Sequence, residues 1–276
     1  MNIWLILGIM FAICVAVSAV GFKRFLWFIT VGYGFSVVCC GIAIAVIFAV
    51  EGVLNVTSLI ACILFVIYGF RLGGFLLLRE IRNPAYRKAL SMDDRQQKEY
   101  PLVAKLSIWI TVAVLYTFQT SGVAFVLNAK QYGSFFDCSV LEIVGVAVMI
   151  LGITLESLAD AQKSKYKKIN PSLPAMNGLY KIQRCPNYCG EVLMWTGVFV
   201  FTMSAAPELE WWMWIFVVLG YLAITYIMLN GAKRMERKHA ERYGKCEEAK
   251  EYMKKTPLII LICFPIYSLK KVKFII

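Results

Sequence analysis

Arg184, Asn187, Tyr188 and Glu191 stand at the head of an apolar run, in Gly178-Leu179-Tyr180-Lys181-Ile182-Gln183-Arg184-Cys185-Pro186-Asn187-Tyr188-Cys189-Gly190-Glu191. A guanidinium, an amide, a phenol and a carboxylate are the groups that hold a polar or phosphorylated ligand. Asn187, Glu191 and Trp195 recur every four residues, so a helix starting near Asn187 shows all three on one face. Pro186 suits the first turn of that helix, where its missing N–H is no loss. Arg184 lies just before it, at the positive end of the helix dipole. A cation there is unfavourable unless an anion lies between. Two further polar sets interrupt apolar segments. Tyr68 and Arg71 are three apart, and Glu156 and Asp160 are four apart, so each pair shares a helix face.

The elements that carry these residues are long and hydrophobic. Apolar residues make up 60% of the 276, and they are gathered into runs of about 20, the length that crosses a bilayer as a helix. No series of short alternating segments suggests a β-barrel. The composition therefore predicts an all-α, polytopic membrane protein forming a single integral domain over residues 1–276. Seven spans are expected, at about Ile3–Phe22, Phe25–Val50, Leu54–Leu78, Leu102–Leu127, Ser139–Ala159, Asn187–Met203 and Trp211–Leu229. The first has no basic leader or small-residue cleavage site and reads as a retained helix. Gly32 to Gly41 is a place where the second could kink. Trp211, Trp212 and Trp214 form an interfacial anchor. Pro257–Leu269 is too short to span.

Connections after the first, third, fifth and seventh spans are basic, and the others are neutral or acidic. The positive-inside rule then places the N-terminus outside and the C-terminus in the cytoplasm. The net charge of +12 is read as this topology rather than as nucleic-acid binding. The membrane itself, bacterial inner membrane or endoplasmic reticulum, stays open. No internal repeat suggests an inverted-repeat transporter. Nine cysteines without a CxxC pair, and His239 alone, predict neither a metal site nor a disulfide framework. His239 itself reads as a solvated loop residue, and Asp93–Lys98 as a solvated loop. Glu142 lies apart, near the outer end of the fifth span.

Orientation sets the depth of the polar residues. Arg71, the Glu156/Asp160 pair and the Asn187/Glu191 pair all fall at cytoplasmic ends of spans. Each alone is accounted for by snorkelling and an ion pair, for example Arg71 with Glu156 or Glu191. Together they are explained more economically by a pocket, open to the cytoplasm, that holds a polar ligand. Lys163, Lys165, Lys167, Lys168 and Lys181 beside Arg184 suit phosphates of a cofactor or of lipid headgroups. Positive-inside topology accounts for most of those lysines by itself.

At these residues the chain resembles the steroid 5α-reductase superfamily, most closely its uncharacterised branch. The resemblance rests on Gly178-Leu179-Tyr180, Arg184-x-Pro186-Asn187-Tyr188-x-Gly190-Glu191 and Trp195, with Glu156-x-x-x-Asp160-x-Gln162-Lys163, Tyr68-x-x-Arg71-Leu72 and Arg79, and Tyr252, Thr256-Pro257 and Pro265. It covers roughly residues 60–270. It implies a seven-helix enzyme that uses NADPH to reduce an activated carbon–carbon double bond in a lipophilic substrate, a steroid, isoprenoid or enoyl lipid, taken from the bilayer. Arg71, Asp160, Asn187 and Glu191 would contact the cofactor, with Arg184 and Tyr188 in the same signature and Lys167 near a basic contact of the family. Tyr68 would bond the substrate carbonyl. The family's Arg-His-Pro is Arg184-Cys185-Pro186 here, Cys189 replaces an aromatic, and the second span carries no acid or amide to assist Tyr68. The chain is similar in a lesser degree to isoprenylcysteine carboxyl methyltransferases, through the same Arg-x-Pro element and Glu236, Tyr243-Gly244 and Tyr252. That resemblance implies S-adenosylmethionine as the donor. A non-catalytic lipid-binding scaffold is the third reading.

Overall fold

The computed structural model describes residues 2–82, 101–130, 132–261 and 264–270. Arg87, Lys88, the Asp93–Lys98 run, Cys263 and the tail after Lys270 lie outside the described residues, as does the side chain of Arg79. Among the described residues, eight α-helices follow one another: α1 (Ile3–Ser18), α2 (Val31–Val50), α3 (Val56–Arg82), α4 (Leu102–Ala129), α5 (Val140–Ile169), α6 (Pro186–Thr202), α7 (Trp211–Tyr243) and α8 (Glu247–Lys255). Two short strands, β1 (Ile259–Leu261) and β2 (Phe264–Ile266), pair antiparallel. The protein is an all-α polytopic membrane protein. Among the described residues, six helical segments are long and apolar enough to cross a bilayer. α6 has 17 residues, a little short of the roughly 20 a span requires, and a 3₁₀ turn at Met203–Ala205 prolongs it.

Several boundaries differ from those expected. The second segment opens with a 3₁₀ turn, Phe25–Phe28, before α2 begins at Val31. Its glycines, Gly32, Gly34 and Gly41, lie within one continuous helix. A Cβ at Gly34 would stand 2.7 Å from the carbonyl oxygen of Gly69 on α3, so the missing side chain lets two backbones touch, as small residues do between membrane helices. α5 and α7 run far past their apolar stretches. They have 30 and 33 residues, roughly 45 and 50 Å at the α-helical rise, against a hydrocarbon core of about 30 Å. Lys163 to Lys168, expected in a loop, are therefore helical, and so is most of the basic stretch after Leu229. Lys, Arg and Glu are good helix formers, so the charge that ends the membrane span need not end the helix.

The chain forms two compact units, Met1–Val146 with Val198–Gly220, and Ala147–Gly197 with Tyr221–Ile276. In the first, Trp4 stacks on Trp212 with ring centroids 4.3 Å apart, and the Tyr116 hydroxyl donates to the Phe28 carbonyl at 2.7 Å. Arg24 pairs with Glu80, which also accepts from the Trp27 indole at 3.1 Å. Glu142, wholly buried, is bonded at both oxygens. One accepts from Lys130 Nζ at 2.7 Å and Tyr132 Oη at 3.2 Å. The other accepts from Thr57 Oγ1 at 2.6 Å and Asn55 Nδ2 at 3.0 Å.

Candidate functional site

In the second unit, glycines bring the polar residues of α5 and α6 together. A Cβ at Gly190 would lie 2.7 Å from the backbone N of Glu156 and 2.8 Å from the Gly152 carbonyl oxygen. Only hydrogen fits at that crossing, which sets Glu156 against α6 at Gly190, the residue before Glu191. Both carboxylates are buried. One turn along α5, Asp160 is half-buried. Gln162 then anchors the incoming loop, accepting from the backbone N–H of Leu179 at 2.8 Å. Gly178 turns the chain there with φ +57°, and a Cβ on it would collide with the Gln162 amide. This gives a physical reason for Gly178-Leu179, Gln162 and Gly190 as one motif.

The start of α6 is covered by the C-terminal segment. Arg184 N–H donates to the Pro257 carbonyl at 2.8 Å and Cys185 N–H to that of Leu258 at 2.9 Å. Gln183 Oε1 accepts from Ile260 N–H at 2.7 Å, and Leu258 N–H reaches the Ile266 carbonyl at 2.7 Å. The Tyr252 hydroxyl donates to the Tyr180 carbonyl at 2.7 Å. Residues distant in sequence thus satisfy the backbone around Arg184, and the segment that cannot span a membrane is a hairpin clamp.

Arg184 itself is buried. Its Nε donates to the Thr256 carbonyl at 3.1 Å and its Nη2 to that of Tyr267 at 2.5 Å. The anion its position requires is Glu236 on α7, 3.8 Å from Nη2. Glu236 also accepts the Leu269 N–H at 3.0 Å. An internal carboxylate therefore meets part of the electrostatic demand for which an external phosphate was expected. Lys167 is similarly engaged. Its ammonium bonds the carbonyls of Pro171 and Leu173 and, at 2.5 Å, the Tyr243 hydroxyl. Those contacts match the three donors an ammonium has.

Other polar groups in the unit are less complete. Tyr180 is 3% exposed, and its hydroxyl has no hydrogen-bond partner among the described residues. Burial, and next the Asp160 carboxylate, push its pKa above the usual range. Tyr188 lies in electrostatic range of Arg234, Glu191 and Asp160, and its ring fits where Gly231 leaves room on α7. His239 is on helix α7, not in a loop as expected. Its ring packs edge-on against Tyr243 with centroids 5.5 Å apart, and its buried Nδ1 has no partner among the described residues. Lys163, Arg184 and Lys167 all act on it electrostatically. The only signal in sequence would have been the four-residue step from His239 to Tyr243, which puts both on one helical face. Asn187 is half-buried on the first turn of α6. Cys185 is buried among Ala232, Leu258 and Leu269. Desolvation pushes its thiol up to about 12, so it acts there as a small neutral hydrophobe.

Tyr68 and Arg71 belong to the first unit. Tyr68 is fully buried, its hydroxyl 3.1 Å from that of Tyr33 on α2, and the Arg71 guanidinium lies over its ring at 5.9 Å. The second span carries no acid or amide, and the partner it supplies to Tyr68 is a phenol. Thus six of the predicted site residues, Asp160, Lys167, Arg184, Asn187, Tyr188 and Glu191, belong to the second unit, and Tyr68 and Arg71 form a separate group in the first.

No curated protein matches the chain, and no solved structure does. A family model described as "Protein of unknown function (DUF1295)" matches residues 9–256, and the chain belongs to that family.

Proposed function

We propose that the protein is an NADPH-dependent membrane reductase of an activated carbon–carbon double bond in a lipophilic substrate, as its resemblance to steroid 5α-reductases implies. The observation that carries this reading is the incomplete polar cluster of the second unit. Tyr180 Oη and His239 Nδ1 are buried without a hydrogen-bond partner among the described residues, and a buried polar atom without one costs about 1–3 kcal/mol. Such groups await a ligand. The neighbouring carboxylates of Asp160 and Glu191, the Asn187 amide and the Tyr188 phenol match a ligand rich in hydroxyl and amide donors. Arg184 and Lys163, which acts electrostatically on His239, match its phosphates. The residues present in the second unit therefore fit a dinucleotide phosphate, held by Asp160, Arg184, Asn187, Tyr188 and Glu191; the resemblance assigns Arg71, in the first unit, to the cofactor as well. Lys167, assigned to the cofactor by resemblance, supports the site by tying residues 171–173 to Tyr243.

Bound NADPH would supply the hydride. The chain's own part is to orient the substrate and manage charge on its carbonyl oxygen. Tyr68 would donate its hydroxyl proton toward that oxygen as negative charge builds there. Tyr33, at 3.1 Å, would hold the Tyr68 hydroxyl in place, the role for which an acid or amide on the second span was sought. In this reading the cluster faces the cytoplasm, and the substrate enters from the bilayer.

Thermal unfolding of the detergent-purified protein, titrated in parallel with NADPH and with S-adenosylmethionine, tests the reading. Stabilisation by NADPH is expected. Stabilisation by the methyl donor alone would replace the reductase with a methyltransferase, and a response to neither would leave a lipid-binding scaffold.

A further inference from the structure

A cavity of about 420 Å³ opens in the second unit where α7, α8 and the C-terminal segment meet. Its lining includes Arg184 and Glu236, both buried, and Lys250, Lys254, Ser268 and Lys270 near the mouth. Four cations thus face one carboxylate. That carboxylate is already engaged, by the Leu269 N–H at 3.0 Å and by Arg184 at 3.8 Å. Arg184 Nε and Nη2 have their acceptors, whereas Nη1 makes no hydrogen bond to any described residue. Nη1 is therefore open to the cavity that Arg184 lines, where it can donate to a ligand that replaces water. Lys250 and Lys254 are one turn apart on α8 and so share a face. Lys250 pairs with Glu247 at 2.5 Å, an exposed pair that a stronger anion displaces at little cost. Ser268 adds a hydroxyl. Ser268 and Lys270 lie beyond the residues that the family model matches, so this cavity is not a feature of the shared motif alone.

We propose that this cavity binds a phosphoryl anion, a phosphate monoester or diphosphate. Arg184 Nη1 contacts its inner oxygen, and Lys250, Lys254 and Lys270 neutralise its outer charge. The inference goes beyond the reductase reading, with which it shares only Arg184. The anion belongs either to an anionic lipid headgroup or to a soluble phosphate compound, and the two are separable by experiment.

The probe is inorganic pyrophosphate, titrated against the full-length protein in neutral detergent with the unfolding temperature as readout. The wild type is expected to show saturable stabilisation that weakens with added salt. Lys254→Gln/Lys270→Gln, at two exposed positions, is expected to need about tenfold more pyrophosphate, the loss of partly screened charge-assisted bonds. Equal affinity in the double variant, or no response in the wild type, overturns the proposal. Competition then identifies the source. Displacement of pyrophosphate by nanodiscs containing phosphatidate, and not by phosphatidylcholine alone, assigns a lipid headgroup. Displacement by NADPH assigns a nucleotide phosphate, and displacement by neither assigns a free phosphate. Pyrophosphate binding without NADPH binding removes the reductase reading and keeps the cavity site. NADPH binding that survives with no pyrophosphate effect does the reverse.

Discussion

Of the polar regions that interrupt this apolar chain, two are built on opposite principles. Around Glu142, in the first unit, four side chains bond the two carboxylate oxygens, and Asn55 further ties the Asp137 carbonyl at 2.8 Å. In the second unit, the buried Tyr180 hydroxyl and His239 Nδ1 have no hydrogen-bond partner among the described residues. A buried network whose members are all satisfied rigidifies the fold, and a partly satisfied one is destabilising unless something else completes it. Both look alike in sequence, as acids and amides within hydrophobic segments. Only their partners tell a structural knot from a site.

This contrast can be broken or sharpened by substitution. The largest effect is expected at Glu142→Ala, which strands Lys130 and the three groups beside it and should cost about 3–5 kcal/mol of stability, measured by unfolding in detergent. Ligand affinity of the protein that remains folded should not change. A loss below about 1 kcal/mol would mean that the knot is dispensable. Next comes Gly190→Ala, whose methyl would press on the Glu156 backbone. Overpacking of about 1–3 kcal/mol is expected, together with weaker NADPH binding because Glu156 and Glu191 are pushed apart. Normal stability would show that α5 and α6 have slack. Tyr180→Phe removes an unpartnered hydroxyl, so stability should hold or rise by about 1 kcal/mol while NADPH affinity falls. A clear loss of stability would mean that the hydroxyl has a structural partner. The smallest effect is at Cys185. With its thiol near 12, about one molecule in ten thousand is ionised at pH 8, so maleimide should label exposed Cys138 and leave Cys185 untouched until unfolding. Equal labelling of the two would contradict its burial.

Sequence made the membrane spans legible because bilayer insertion is a matter of composition, visible one segment at a time. It also pointed to residues 178–191, since polar groups at a helix start stand out against an apolar background. What it hid were partners. The anion opposite Arg184 is Glu236, far along the chain, and nothing local pairs them. Strands of three residues around Ile260 and Pro265 are too short to announce themselves, yet they clamp the start of α6. His239 looked like a loop residue because its neighbours are charged, although those same residues continue α7 as a helix. Tyr33 escaped notice because a phenol in an apolar helix reads as packing until its hydroxyl is found beside that of Tyr68.

The central claim is that the incomplete cluster of the second unit is a dinucleotide site. Titration of NADPH into purified wild-type protein and Glu191→Ala, followed by nicotinamide fluorescence with unfolding temperatures recorded alongside, tests it most directly. The expected result is saturable binding to the wild type and affinity weaker by about tenfold or more in the variant, the loss of one charged hydrogen bond, with the fold intact. Absence of saturable binding to the wild type, or equal affinity in the two proteins, would contradict the claim.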